Sequence, residues 1–280
     1  VDNPLYDSNI QLANGYTIEE RLAQFTEHEC HMHDALEISV PLDNAMKYPL
    51  GNEMYCASPG DVFLLRPFEP HWNLIQEEGR PGRWVMLLFF PSIVGQVPNG
   101  YSLLTPFYTK DISPLIPAAS PHAMNVHRLV LAAMEERRTA LPGWELQHYS
   151  LLIQILVHIH RYFMEQMVEN SVDTAAFSGI IEAVEYMMEH WSEEIDMDAL
   201  IGRSQLKKTW FYTKFKAITG LTPLAFTVRL RLQYASQQLR ATNHSVTDIA
   251  LSCGFGSSSY FNKVFREFRG MTPGEFRKQL

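Results

Sequence analysis

The 280-residue sequence predicts an α+β protein, with an all-β N-terminal part, a helical middle and an all-α C-terminal domain. Three observations lead there. Short apolar runs bounded by turn residues fill the chain up to Pro117. From Ala123 the apolar spacing changes to three and four residues. In the last third a block of sequence recurs at a displacement of fifty residues.

The length and a hydrophobic content of 46% allow two separate cores. No apolar run is long enough to span a bilayer, and Val1-Asp2-Asn3-Pro4 has neither the basic nor the apolar region of a secretory leader, so a soluble, cytoplasmic chain without a membrane partner is expected. Cys30, Cys56 and Cys253 are widely spaced and lack a Cys-x-x-Cys pair; they are expected to be reduced and mostly buried. Leu36–Val40, Val62–Leu65 and Trp84–Phe90 have the length and composition of buried strands. The turn signals between them are Gly51-Asn52, Pro59-Gly60-Asp61 and the stretch from Gly79 to Gly82.

Val126, Leu129, Val130, Ala133 and Met134 mark a first amphipathic helix. After Leu141-Pro142-Gly143 a second carries Trp144, Leu152, Ile155, Leu156, Ile159 and Phe163. Stripes this apolar require a partner surface, so the segment 120–168 is expected to join a homodimer, with Ile155 and Ile159 in the interface. The alternative is that the two helices pad the β-domain. Residues 169–178, with Asn170, Ser171, Asp173 and Ser178, show no period and are expected to form a linker between the N-terminal domain, 1–119 with its helices, and a C-terminal domain, 179–280.

In the repeat, Trp210-Phe211, Phe215-Lys216, Gly220-Leu221-Thr222-Pro223 and Phe226 return as Tyr260-Phe261, Phe265-Arg266, Gly270-Met271-Thr272-Pro273 and Phe276. Each copy follows a short helix with an N-cap signal, Asp196 in the first and Ser245 in the second, where Asp248 stands in the capping-box position. A short helix, a tight turn (Gly254 in the second copy) and a helix anchored by inward phenylalanines make a helix-turn-helix.

Charge separates the two halves. From Arg203 onward 13 Lys and Arg face three acids, a balance of +10, so the remaining 202 residues carry −18 of the total of −8. Polyanion binding suits the tail alone. With Phe211 and Phe215 inward, the first recognition helix offers Thr209, Tyr212 and Thr213 to base edges and Lys207, Lys208 and Lys216 to phosphates. The second turns Phe261, Val264 and Phe265 inward, which leaves Ser258, Ser259, Asn262 and Lys263 facing out and Arg266 and Arg269 near the backbone.

The tail resembles the DNA-binding domain of the AraC/XylS family of bacterial regulators. The likeness rests on Ile249-Ala250, Gly254-Phe255, Ser259-Tyr260-Phe261, Phe265-Arg266 and the run Gly270 to Arg277, with Arg229-Leu230-Arg231-Leu232, Ala235 and Leu239 in the joining helix. It departs at Gly256, where the family often has an acid. The resemblance implies that the two units enter successive major grooves of double-stranded DNA, about 34 Å apart, with RNA polymerase as a further partner if the protein is an activator.

The N-terminal half is similar to the cupin-like sensor barrel common in that family: His31-x-His33-x3-Glu37, Pro59-Gly60-Asp61 and Pro70-His71-Trp72-Asn73 resemble the two short cupin motifs. On one strand the even spacing puts His31, His33 and Glu37 on the same face, and His71 approaches from a neighbour. Three readings stand. The set holds a divalent transition metal, lines a metal-free effector pocket, or fills a core. Tyr55, Arg66, Trp72 and Trp84 are the other candidate pocket residues, since sugars stack on aromatic faces and are oriented by a few polar groups; Trp84 also fits plain core.

The function expected is sequence-specific regulation of transcription, as an activator, under control of a small effector, a carbohydrate by family resemblance, with no cofactor required. The alternative is a metal-dependent cupin enzyme with an accessory helical domain, which has no use for a basic duplicated helix-turn-helix. A protein-binding adaptor leaves Lys207, Lys208, Lys263 and Arg266 without a purpose.

Overall fold

The computed structural model describes residues 5–6, 10, 12, 14–23, 30–76, 79–110, 112–170 and 174–278. The strands are β1 (Leu5–Tyr6), β2 (Tyr16–Ala23), β3 (His31–Met32), β4 (Leu36–Pro41), β5 (Met46–Leu50), β6 (Glu53–Ala57), β7 (Val62–Leu65), β8 (Leu74–Ile75), β9 (Gly82–Phe89) and β10 (Leu115–Ile116). A five-stranded sheet has the order β10-β7-β4-β9-β2, a three-stranded sheet the order β6-β5-β8, and β1 pairs with β3.

Period-two alternation decides what each face of the larger sheet does. Leu36, Ile38 and Val40 of β4, with Val85, Leu87 and Phe89 of β9, face a large core shared with the helices. Glu37 and Ser39 lie on the opposite face, where Ser39 Oγ is 2.6 Å from the Tyr48 hydroxyl on β5. Met46, Tyr48, Phe63, Leu65, Ile75 and Trp84 form a second core between the two sheets.

Helices α1 (Pro121–Thr139) and α2 (Trp144–Asn170) form an antiparallel pair, with α1 against the larger sheet. Ser120 caps α1 by accepting from the His122 N–H, and Pro121 occupies a first-turn position where no donor is lost. Ile155, Leu156 and Ile159 have no exposed surface and belong to the same core as the β4 and β9 side chains. This corrects the expectation that Ile155 and Ile159 meet a second chain: α1 and the Gly100–Phe107 segment supply the partner surface. Helix α3 (Thr174–Glu189) begins four positions after α2 ends. The expected linker over 169–178 is therefore helical at both ends, because Ala176 and Phe177 are buried; residues 171–173 lie outside the described residues. The three cysteines are free, with Cys253 buried, Cys30 partly exposed and Cys56 exposed, so burial was expected correctly only for Cys253. No helix among the described residues is long and apolar enough to cross a membrane.

The C-terminal helices are α4 (Met197–Arg203), α5 (Lys208–Thr219), α6 (Pro223–Ala241), α7 (Val246–Ser252), α8 (Ser258–Arg269) and α9 (Pro273–Lys278). The repeat has a plain mechanical meaning. Gly220 and Gly270, at φ 76° and 71°, close α5 and α8 in the left-handed region, after which Thr222 and Thr272 cap the next helices and Pro223 and Pro273 start them. Asp196 accepts from the N–H groups of Asp198 and Ala199, and Ser245 from that of Asp248, as the cap signals predict. Gly254 turns at φ 77°, and a Cβ there would stand 2.5 Å from the Ser192 carbonyl oxygen.

The two halves pack together. The Lys110 N–H donates to the Ile218 carbonyl at 2.6 Å, Tyr108 Oη to Gln233 Oε1 at 2.9 Å, and Gln237 Nε2 to Ser92 Oγ at 2.8 Å. Ile159→Ala is expected to lower stability by about 2–5 kcal/mol. A urea melt unchanged by this substitution would show that Ile159 is not core.

Candidate functional site

A cavity of about 550 Å³ opens on the polar face of β4, bounded by β2, β5, β9 and the His71–Asn73 stretch. His31 and His71 form a bridge through mutual backbone hydrogen bonds of 3.0 and 2.9 Å, which brings the two histidine motifs together. The rings of His31 and His33 stand 4.5 and 4.8 Å from that of His71, both edge-on. His33 directs Nδ1 to the Ala35 carbonyl oxygen and Nε2 to Glu37 Oε2, each at 3.0 Å. Both neighbours are acceptors.

His71 donates Nδ1–H to the Glu69 carbonyl at 2.7 Å, an anchor that turns Nε2 toward Glu37. That atom is buried, has no hydrogen-bond partner among the described residues, and stands 3.6 Å from Glu37 Oε2. Burial works to raise the Glu37 carboxyl, but the hydrogen bond from His33 and the nearness of His71 outweigh it and hold the group well below the ordinary carboxylate range. The cavity floor thus carries a buried carboxylate acceptor beside imidazole nitrogens, and the indoles of Trp72 and Trp84 are among its walls. This suits a ligand with hydroxyl groups and an apolar face. The ligand atoms of His31, His33 and His71 also lie within 4.8 Å of one another, close enough to converge on one cation.

Six of the eight predicted pocket residues meet here: His31, His33, Glu37, His71, Trp72 and Trp84. Tyr55 and Arg66 do not, and these two expectations are corrected. Tyr55 sits on β6 beyond the ring of Phe63 and its hydroxyl donates to Glu53, which with burial pushes the phenol up to about 12. Arg66 follows the last residue of β7, where alternation turns it away from the inward Leu65, and its Nε donates to the Thr109 carbonyl at 2.8 Å in a different cleft. Sequence reasoning missed Tyr48 and the Thr17, Glu19 and Arg21 face of β2. The signal was only partial, because Ile18 and Leu22 fit a period of two with Thr17, Glu19 and Arg21 but Glu20 breaks it, and no apolar run announces this strand.

On the other domain, Lys207, Lys208, Thr209, Tyr212, Thr213 and Lys216 are exposed along one side of α5 while Phe211 and Phe215 are fully buried. Ser259, Lys263 and Arg266 are exposed on α8, Ser258 and Asn262 are partly so, and Phe261 and Phe265 are fully buried; Arg269, expected near the backbone, is instead buried against Asp34, which corrects that expectation. Asn262 folds its amide back onto the Ser258 carbonyl at 2.7 Å, and Lys208 pairs with Asp198 at 3.1 Å on the surface, a weak contact that a phosphate can replace. Lys207 and Lys208 stand at the N-terminal end of α5, which has no side-chain cap. Positive charge at the positive end of a helix dipole is unfavourable alone and favourable beside an anion. Trp210 and Tyr260, 47% and 46% exposed, add two aromatic faces at equivalent repeat positions that the sequence reading left out of the candidate surface.

Comparison with known proteins places these parts in context. A model described as an AraC-like ligand binding domain matches residues 14–156, and one described as a helix-turn-helix domain matches residues 203–279. The HTH-type transcriptional activator RhaS of Yersinia pestis bv. Antiqua (strain Angola) is 24% identical over 270 residues, covering 94% of this chain and 93% of that protein. The protein of the same name from Yersinia pseudotuberculosis serotype O:1b (strain IP 31758) is also 24% identical over 270 residues. Among solved structures, unsaturated fatty acid-bound ToxT from Vibrio cholerae aligns over 96% of both chains with 12% identity and a TM-score of 0.48. The DNA-binding domain of AdpA in complex with a target DNA aligns over 36% of this chain and 91% of that one, with 29% identity and a TM-score of 0.35.

Glu37→Gln is expected to cost about 1.5–3 kcal/mol in a denaturant melt, the range for hydrogen bonds to charged groups. Combined with His33→Gln it should cost less than the sum of the two single changes; strictly additive losses would contradict the pairing.

Proposed function

The chain belongs to the AraC family of DNA-binding transcription regulators, whose ligand-binding model spans residues 14–156, and from that premise we propose a sugar-responsive activator. The observation that carries the effector class is the buried polar pair, Glu37 Oε2 and His71 Nε2, in a cavity whose walls include two indoles. A polyol hydroxyl donates to Glu37, pairs with His71 Nε2 in either role, and leaves the C–H face to stack on an indole. A fatty acid placed with its carboxylate there meets the charge of Glu37 instead.

The DNA-reading roles follow the exposure of α5 and α8. Thr209, Tyr212, Thr213, Ser258, Ser259, Asn262 and Lys263 address base edges, while Lys207, Lys208, Lys216 and Arg266 address phosphates. Trp210 and Tyr260 join this surface. In this reading the protein acts in the cytoplasm as a homodimer with RNA polymerase as its output. Ligand control requires only that the sugar bind one arrangement of the two halves better than another.

A second reading is favoured by the convergence of the His31, His33 and His71 nitrogens: the same cluster, with Glu37 beside it, takes a divalent transition ion. Metal analysis of protein purified without an affinity tag separates the two. Near one equivalent per chain supports the ion, and a negligible content that added ions do not raise removes it.

Selection of bound fragments from a random duplex library tests the main reading. One enriched sequence is expected, and a panel of monosaccharides should change its affinity for the purified chain. Tyr212→Ala and Lys263→Ala should each lose about 1–3 kcal/mol of discrimination, whereas Lys208→Ala should weaken selected and random DNA alike and flatten the salt dependence. Failure to enrich any sequence would overturn the reading, and equal losses on both DNAs for all three variants would overturn the assignment of roles.

A further inference from the structure

The three residues between β3 and β4 face two ways. On the cavity side His33 binds the Ala35 carbonyl and Glu37, and its own carbonyl oxygen accepts from the Phe68 N–H at 2.7 Å. On the other side the Asp34 side chain is wholly buried against the C-terminal domain. Its carboxylate lies 3.0 Å from the Arg269 guanidinium, in the last turn of α8, and 3.2 Å from that of Arg240, near the end of α6. Gln233 of α6 donates to the Asp34 carbonyl at 2.6 Å, and the same Arg269 nitrogen donates to Ser236 Oγ of α6 at 2.6 Å. Asp34 therefore stands at the junction of α6 and α8.

Helix α6 joins the two helix-turn-helix units, so the seating of α8 on α6 sets one recognition helix relative to the other. That seating takes two guanidinium groups out of water. The Arg269 side chain has no exposed surface and that of Arg240 only 9%. The rings of Phe276 and Phe90 near Arg240, and of Phe68 and Phe265 near Arg269, leave little polar solvation, and burial disfavours the charged form of Arg269. Buried cations at a helix junction hold it together only when a counter-charge is held with them.

We infer that Asp34 is a positioning residue for DNA reading, supplied by the β-domain: its carboxylate seats α8 on α6 and so sets the spacing of the two recognition helices. The inference rests on the reading that α5 and α8 both engage DNA. It also ties the cavity to the second unit, since a ligand that displaces His33 displaces Asp34, and the coupling runs equally in reverse.

The test uses the full chain and its Asp34→Asn variant, with amide hydrogen exchange and with binding to a random-sequence duplex about four helical turns long over a range of salt. Exchange in residues 233–241 and 258–278 should accelerate at least about tenfold while α4 and α5 stay unchanged. The salt slope should fall as Lys263 and Arg266 lose their place on the backbone. Unchanged exchange, equal acceleration of α5 and α8, or an unchanged slope overturns the inference. If Asp34→Asn does not fold, Asp34→Glu keeps the charge but moves it, and a smaller acceleration confined to α8 and α9 is expected; uniform or absent acceleration overturns the inference. Failure of the unaltered chain to bind the duplex rejects the DNA reading, and with it the inference; normal binding by both chains rejects the role of Asp34 alone.

Discussion

Two guanidinium groups from the C-terminal domain, Arg240 and Arg269, lie inside the protein, and the carboxylate beside them comes from a residue about two hundred positions earlier, Asp34. Removing one member of such a buried set leaves charge without compensation in a medium that solvates it poorly. The halves of the chain are therefore not two beads on a string. The first helix-turn-helix unit is drawn into the large core through Phe211, Phe215 and Phe226, which also takes in α2, α3 and the β4–β9 face. The second is built around Phe261, Phe265 and Phe276, and Phe68 of the β-domain is inserted into that core.

Strand β4 shows how one short run of sequence serves both ends of this arrangement. Its odd and even side chains divide between the helix-facing core and the cavity, so Leu36 and Ile38 fasten the sheet while Glu37 orients His33. Immediately before it, one turn of chain turns His33 to the cavity and Asp34 to α8. A ligand at the histidines and a nucleic acid at the recognition helices are thus separated by very few rigid contacts. Coupling over such a path needs no large motion, only two arrangements that the ligand distinguishes.

What could be read in the sequence was what is local. The Gly-x-Thr-Pro steps, the Asp196 and Ser245 caps and the inward phenylalanines are set by bonds within a few residues, and each appears where it was expected. The histidine cluster was also legible in its members, though not on the single strand expected: His31 lies on β3, Glu37 on β4 and His33 between them, and the bridge between His31 and His71 closes the set. The failures are all tertiary. The apolar stripe of α2 could not reveal whether its own chain or a second one would cover it, and α1 with the Gly100–Phe107 segment does. Tyr55 and Arg66 have the right chemistry on residues that strand direction carries elsewhere. Asp34, flanked by histidine and alanine, carries no local mark of its role, since its partners are set only when α6 and α8 come together.

The central claim is that one chain reads DNA with its C-terminal units and a sugar with its β-domain, and that the two events are linked. The most direct measurement is a thermodynamic cycle by calorimetry: sugar affinity with and without the selected duplex, and duplex affinity with and without the sugar. The account predicts that each ligand changes the affinity of the other by the same factor, at least about fivefold. Two affinities that are each indifferent to the other ligand would contradict it.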